Sequence, residues 1–210
     1  MNADNSGLRY LEFDIPKQVT WQSGPFFSDG RRVILLSMEE RRDGPGRPFS
    51  DYYHLTPTHL WIYDIEKGTL TEIAHKERLA PFYAPALILP GEERILVQVV
   101  TKGAAQFFSM DLDGTHRQEF TRSGEGFPYG LSLSPDGKRI AFHTSGPNPH
   151  SYRIFVTDLD GSNRVLVAGH PDHLYFGTSW SPDGEWILLP GLPLQRRPWP
   201  RLVGYLYWQA

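Results

Sequence analysis

Apolar positions in this chain fall in short runs of strand length, each preceded by a polar corner. The runs are Val33-Ile34-Leu35-Leu36, Ile95-Leu96-Val97, Ile140-Ala141-Phe142-His143 and Trp186-Ile187-Leu188-Leu189. The corners are Phe27-Ser28-Asp29-Gly30, the degenerate Leu89-Pro90-Gly91-Glu92, Ser134-Pro135-Asp136-Gly137 and Ser181-Pro182-Asp183-Gly184. Proline presets φ at the first turn position, aspartate accepts bonds from nearby amides, and glycine takes the positive φ that closes a hairpin. Each corner followed by its run therefore predicts two antiparallel strands. Within Tyr152 to Asp158, Ile154 and Val156 fall on one face and Phe155 on the other. Both faces are apolar, as in a sheet sandwiched between neighbours.

A second corner recurs as Tyr63-Asp64-Ile65-Glu66-Lys67-Gly68, Met110-Asp111-Leu112-Asp113-Gly114 and Thr157-Asp158-Leu159-Asp160-Gly161. Gly68 to Gly114 spans 46 residues, and Gly114 to Gly161 and Gly137 to Gly184 each span 47. A period of this length, built from short strands and Asp-Gly turns, predicts an all-β chain of four-stranded antiparallel blades arranged as a β-propeller. The blades are expected over residues 19–73, 79–120, 127–167 and 173–189, with the first built from Trp21–Phe27, Arg32–Met38, Thr58–Asp64 and Leu70–Ile73. Residues 1–18 form an N-terminal segment whose alternating patch, Leu8 to Ile15, suits an edge strand or a closing strand for the last blade. Residues 190–210 carry Pro190, Pro193, Pro198 and Pro200, and no further strand is expected there because proline interrupts a ladder. This non-repeat tail reads as a segment translated out of frame. About three and a half blades result, fewer than the four to eight that close a propeller. An open blade edge invites pairing with another copy.

The paired signatures resemble the WD40-like (PD40) repeats of TolB-type β-propellers, whose units carry a Ser-Pro-Asp-Gly turn and then an Asp-x-Asp-Gly turn. The resemblance is best over residues 123–189 and weaker over 20–122. It implies a six- or seven-bladed propeller of which this chain holds a part. It also brings in two enzyme types that carry such propellers, oligogalacturonate lyases and prolyl-oligopeptidase-like hydrolases. The lyases hold a Mn-type ion on histidines near the inner-strand turns. At the corresponding places, four residues before the turn serine, this chain has Gly24, Gly130 and Gly177.

Composition narrows the function. A net charge of -3 with scattered Lys and Arg lacks the basic footprint of a nucleic-acid binder. There are no cysteines, hence no disulfide framework, thiolate metal site or cysteine nucleophile. No Gly-x-Ser-x-Gly elbow is present. The first residues have neither a basic nor an apolar segment of a secretion signal, and no apolar run reaches membrane-spanning length. The sequence as written reads as cytoplasmic, and as periplasmic if the true start lies upstream.

Asp64, Asp111 and Asp158 recur at equivalent points, as do Asp29, Asp136 and Asp183. A catalytic acid is needed once per site and a turn former once per repeat, so these read as turn residues. No catalytic residue is assigned. The propeller's functional surface is the channel mouth, lined by segments leading into each inner strand. Aromatic residues recur there: Trp21, Phe82, Tyr83, Phe127, Tyr129, Tyr175 and Phe176, with His173 beside them. Such a mouth suits gripping a peptide or stacking on a sugar, and inter-blade packing is the competing role. His170 and His173, with Asp172 between them, are weak metal candidates because nothing fixes a third ligand. His143 lies mid-strand and reads as a packed histidine. The long insertion after the second strand holds Phe49, Asp51, Tyr52, Tyr53 and His54, a composition suited to a binding loop or to covering a blade edge. The expectation is a non-catalytic module that binds a protein or peptide at the mouth without a cofactor. The alternative is a lyase-type relative acting on a uronate-containing oligosaccharide with a bound divalent metal such as Mn.

Overall fold

A computed structural model describes residues 11, 13, 15, 18–39, 58–77, 86–101, 104–145, 152–169, 173–175, 177–193 and 203–208. The first blade holds β1 (Gln18–Phe26), β2 (Arg32–Glu39), β3 (Thr58–Asp64) and β4 (Thr69–Glu77). The second holds β5 (Leu87–Ile88), β6 (Arg94–Thr101), β7 (Ala104–Asp111) and β8 (Gln118–Glu119). The third holds β9 (Phe127–Leu133), β10 (Arg139–Ser145), β11 (Tyr152–Asp158) and β12 (Val165–Gly169). The fourth holds β13 (His173–Tyr175), β14 (Ser179–Trp180), β15 (Trp186–Pro193) and β16 (Val203–Trp208). Every sheet is antiparallel, the described residues contain no helix, and the row of blades is open rather than closed. This is the expected partial propeller.

The corners set the register. Ser134 donates its amide to the Arg139 carbonyl and Gly137 donates to the Ser134 carbonyl, while the Asp136 carboxylate accepts the Ser134 hydroxyl and the Lys138 amide. Ser181, Asp183, Gly184 and Glu185 repeat this arrangement, as do the backbone bonds of Phe27 with Arg32 and of Leu89 with Arg94. By this alignment Arg32, Arg94, Arg139 and Trp186 are equivalent first residues of each blade's second strand. The following corners are tied in the same way, by Gly68, Gly114 and Gly161 amides donating to Asp64, Asp111 and Asp158 carbonyls. The recurring aspartates are turn residues in the structure.

The second strands of the first three blades are buried on both faces, so the core lies between blades. Ile34, Leu36 and Met38 meet Ile95, Val97 and Val99 between the first two blades. Leu96, Phe107 and Phe120 meet Ile140 and Phe142 at the next seam. Ala141, Ile154 and Val156 meet Tyr175, Ile187 and Leu189 at the last. Phe142 is wholly buried, edge-on to Phe107 at 5.8 Å and to Phe120 at 5.9 Å. A ring so placed contributes about 3–5 kcal/mol when compared with alanine. The same seam is clamped at its rim by Arg164, which pairs with Glu125 at 2.5 Å, donates to the Phe120 carbonyl at 3.1 Å and lies over the Phe142 ring.

One expectation needs correction, and the N-terminal patch takes a definite place. The tail does not end the pattern at residue 189: β15 runs on to Pro193, and β16 pairs with it from Trp186–Trp208 to Gly191–Val203. Leu189 and Pro190 face the gap between β14 and β13, so an absent N–H there removes no pairing on that side. The fourth blade thus has a third strand that the prolines concealed. Of the N-terminal patch the structure describes Leu11, Phe13 and Ile15, none of the three in a strand. Phe13 packs on Trp21 at 4.8 Å and on Tyr63 at 5.2 Å, and with Ile15 it covers the outer face of the first blade formed by Val33, Leu35, Trp61 and Tyr63. The insertion at 40–57, with Phe49, Asp51, Tyr52, Tyr53 and His54, lies outside the described residues.

Hydrogen bonds inside the corners hold Asp29, Asp64, Asp113, Asp136, Asp160 and Asp183 below the ordinary aspartate value of 3.8. The largest cause is the Ser134 hydroxyl for Asp136, the Ser181 hydroxyl for Asp183 and a backbone amide for Asp29 and Asp64. A depressed carboxylate contributes stability that is complete above the unfolded value and is lost as pH falls through the folded one. Urea midpoints should therefore drop as pH falls below about 4. The paired substitution Asp136→Asn with Asp183→Asn should lower the midpoint at pH 7 and flatten that acid slope. A slope equal to that of the unsubstituted chain would contradict the assignment.

Candidate binding site at the inner end of the third blade

Four rings collect where β9 enters the third blade. Phe127 and Tyr129 lie 5.1 Å apart, Tyr129 and His143 5.0 Å, His143 and Tyr152 6.0 Å, and Tyr129 and Tyr152 6.5 Å with nearly parallel planes. The sheet register makes this row: His143 stands opposite Tyr129 on β9 and opposite Ile154 on β11, and Ser145 stands opposite both Phe127 and Tyr152. His143 is buried, while Phe127, Tyr129 and Tyr152 are half-buried. Burial pushes the His143 pKa down to about 4, so the imidazole is neutral at physiological pH. Its Nδ1 has no hydrogen-bond partner among the described residues, and neither do Gln98 Oε1 and Thr144 Oγ1 at the preceding seam.

Gly130 lets the row form. The inner strand bulges opposite Ala141 to His143, and Gly130 carries φ of +61° at the bulge. A Cβ there would stand 2.7 Å from the His143 ring. Gly177 repeats the conformation in the fourth blade at φ of +62°, with nothing within 4 Å of an added Cβ. A side chain that could ligate a metal is therefore strained at both positions, and at Gly130 it also collides with His143.

Of the residues expected at the mouth, the structure brings Phe127 and Tyr129 together. Trp21 instead joins the cluster on the outer face of the first blade, tilted against Phe13 and 6.0 Å from Trp61. Tyr175 is a core residue, 6% exposed and packed among Ala141, Ile154 and Ile187. Counting from the bulge glycines explains this: Tyr175 lies two residues before Gly177, as the buried Pro128 lies two before Gly130, whereas Tyr129 lies one before. Phe82, Tyr83, Phe176 and His170 lie outside the described residues. His173 is in β13, opposite Pro193. Among the described residues no group of three or more His, Cys, Asp or Glu is placed to hold a metal ion.

Sequence reasoning missed Tyr152 as a member of the row and His143 as its floor. The signal was there in the hairpin register, which sets His143 beside Tyr129 once the Ser134 corner is fixed. It also missed His59, whose ring nitrogens meet Glu72 at 2.5 Å and Glu39 at 2.8 Å at the edge of the first blade. A cleft of about 560 Å³ lies between Glu119–Arg122 and Asp160–Arg164. There the Arg164, Ser162 and Asn163 side chains bond to Glu125, Asp160 and Asp158, which makes it a structural seam.

No family model matches the chain, and no curated protein is detectably similar to it. Solved structures do match. TolB from Acinetobacter baumannii is 15% identical with a TM-score of 0.62, over 90% of this chain and 43% of that one. An oligogalacturonate lyase in complex with manganese is 15% identical at 0.60, over 83% of this chain and 47% of that one. A putative TolB from Agrobacterium tumefaciens is 17% identical at 0.55, over 89% and 76%. The chain thus has the fold of TolB-like propellers and spans about half the length of the first two structures.

Two measurements check this geometry. Gly177→Ala should cost about 1–2 kcal/mol, the strain of a left-handed alanine, and Gly130→Ala should cost clearly more because His143 must also move. Equal costs would contradict the contact. A histidine held neutral contributes stability that is complete above its unfolded value near 6.5 and erodes as pH falls toward about 4. That window is worth roughly 3 kcal/mol, and His143→Phe should remove its slope. An NMR titration placing the His143 midpoint near 6.5 would contradict the burial argument.

Proposed function

We propose that this chain is a non-catalytic binding module of the TolB-like propeller fold that takes an extended protein or peptide segment at the inner-strand ends of its blades. The observation that carries the reading is the row Phe127, Tyr129, His143 and Tyr152: three half-buried aromatic rings on a neutral imidazole. Such rings offer large apolar area with little conformational entropy to lose, and tyrosine hydroxyls add hydrogen bonding at the rim. An uncharged floor suits a peptide backbone and apolar side chains better than a carboxylate, which calls for a cation. No cofactor enters this reading.

The alternative, a lyase-type relative acting on uronate sugars with a metal of the manganese kind, is favoured by the likeness of fold to the lyase that holds manganese. It would rest on His170 and His173. Against it stand Gly130 and Gly177, whose positive φ disfavours ligand side chains where the resemblance calls for them.

A displayed peptide library selected on the unsubstituted chain tests the proposal. Tyr129→Ala should reduce recovery of selected peptides at least tenfold, as expected of an aromatic anchor, with Val165→Ala on the outer strand as an unaffected control. Equal recovery from the Tyr129 variant overturns the site. Stoichiometric manganese in the purified chain, together with unsaturated product from a uronate oligosaccharide, would favour the enzyme.

A further inference from the structure

Arginine is a group that the aromatic rings of this fold already accept. Arg32 lies over the Phe27 ring at 4.2 Å, Arg117 over Phe108 at 4.3 Å and Arg139 over Trp180 at 5.5 Å. Arg164 lies over both Phe142 and Phe155, at 5.4 and 5.8 Å. Each contact sets a flat cation against the negative face of a ring. A guanidinium gives up less hydration in such a place than a lysine ammonium does.

The ring row on the third blade has the dimensions for one more such cation. The centroids of Tyr129, His143 and Tyr152 lie 5.0, 6.0 and 6.5 Å from one another, so a single cation can lie within about 6 Å of each. The planes of Tyr129 and Tyr152 differ by only 26°, so a flat group can present its face to both. Phe127, 5.1 Å from Tyr129, extends the surface. The rings are positioned in advance: the Phe127 amide donates to the Ser145 hydroxyl at 3.1 Å, and the Gly130 bulge closes on the imidazole. Burial keeps His143 uncharged at physiological pH, so the floor does not repel a cation. The members of the row supply π faces and no carboxylate, which offsets the lost hydration of a guanidinium better than that of a compact ammonium. The chain's net charge of -3 also favours the approach of a cation.

We propose that the extended segment bound at this row is anchored by an arginine, whose guanidinium lies on the faces of Tyr129 and Tyr152 above His143. The inference rests on the peptide reading and names the residue by which the peptide is held.

The probes are acetyl-Gly-Arg-Gly-amide and the same tripeptide with lysine or with citrulline, the uncharged isostere of arginine, each titrated into the full chain and followed by NMR of its aromatic side chains. The arginine tripeptide should shift the Phe127, Tyr129 and Tyr152 ring signals and saturate. The citrulline tripeptide should bind about tenfold more weakly and the lysine tripeptide about threefold more weakly. Tyr129→Phe keeps the ring and should leave the affinity for the arginine tripeptide within about twofold, whereas Tyr129→Leu and Tyr152→Leu keep apolar bulk without a π face and should each lower it about fivefold. The citrulline comparison needs no substitution, so it decides the matter even where a leucine variant does not fold. Citrulline binding equal to arginine overturns the proposal, as do full affinity in both leucine variants and the absence of any shift at millimolar arginine tripeptide. The peptide reading fails separately: equal recovery of displayed peptides by Tyr129→Ala ends that reading, whereas selected peptides that depend on Tyr129 but carry no arginine end only this inference.

Discussion

Every other feature of this molecule depends on one constraint: a blade's second strand is apolar on both faces and cannot be covered by its own sheet. Ile95 and Val97 turn toward the first blade while Leu96 turns toward the third, and none of them is exposed. Burial at about 25 cal/mol per Å² then favours stacking over any isolated sheet. The blades consequently contact their sequence neighbours, and stability resides in seams rather than in a central core. The seam between second and third blades is the most elaborate, with Phe107, Phe120 and Phe142 edge to face inside and Arg164 at the rim.

That constraint explains why the corners carry so much information. A one-residue slip would exchange the two faces of a second strand and place residues shaped for one neighbour against the other. The Ser-Pro-Asp-Gly corners prevent the slip by committing serine, aspartate and glycine to the loop, which also removes their carboxylates from the list of chemical candidates. Recurrence and hydrogen bonding give the same answer for Asp136 and Asp183.

Much of the fold was legible because its punctuation is local. Thr58–Asp64 and the strands of the third blade could be bounded from turn residues alone. The prolines after Leu189 misled because proline opposes a strand only where an N–H has a partner, and which positions in β15 lack one depends on the split inner strand beside it. The candidate site was legible in part. Phe127 and Tyr129 lead into an inner strand and could be named, but Tyr175 was named with them as an aromatic of the corresponding segment, and counting from the bulge glycine puts it at the buried position of Pro128 instead. His143 and Tyr152 join the row only through cross-strand register, and no pattern along one segment of chain reveals a floor contributed by the neighbouring strand.

The glycine bulge also divides labour along β9. Leu133 and Ser132 keep the spacing dictated by the corner, whereas Tyr129 and Phe127 lie beyond the irregularity and follow a register of their own. Gly130 thus acts as a mechanical fuse between scaffold and display. Residues upstream of it can slide by a position with the shift in register taken up at the bulge, so the corner and the strand pairing next to it keep their alignment.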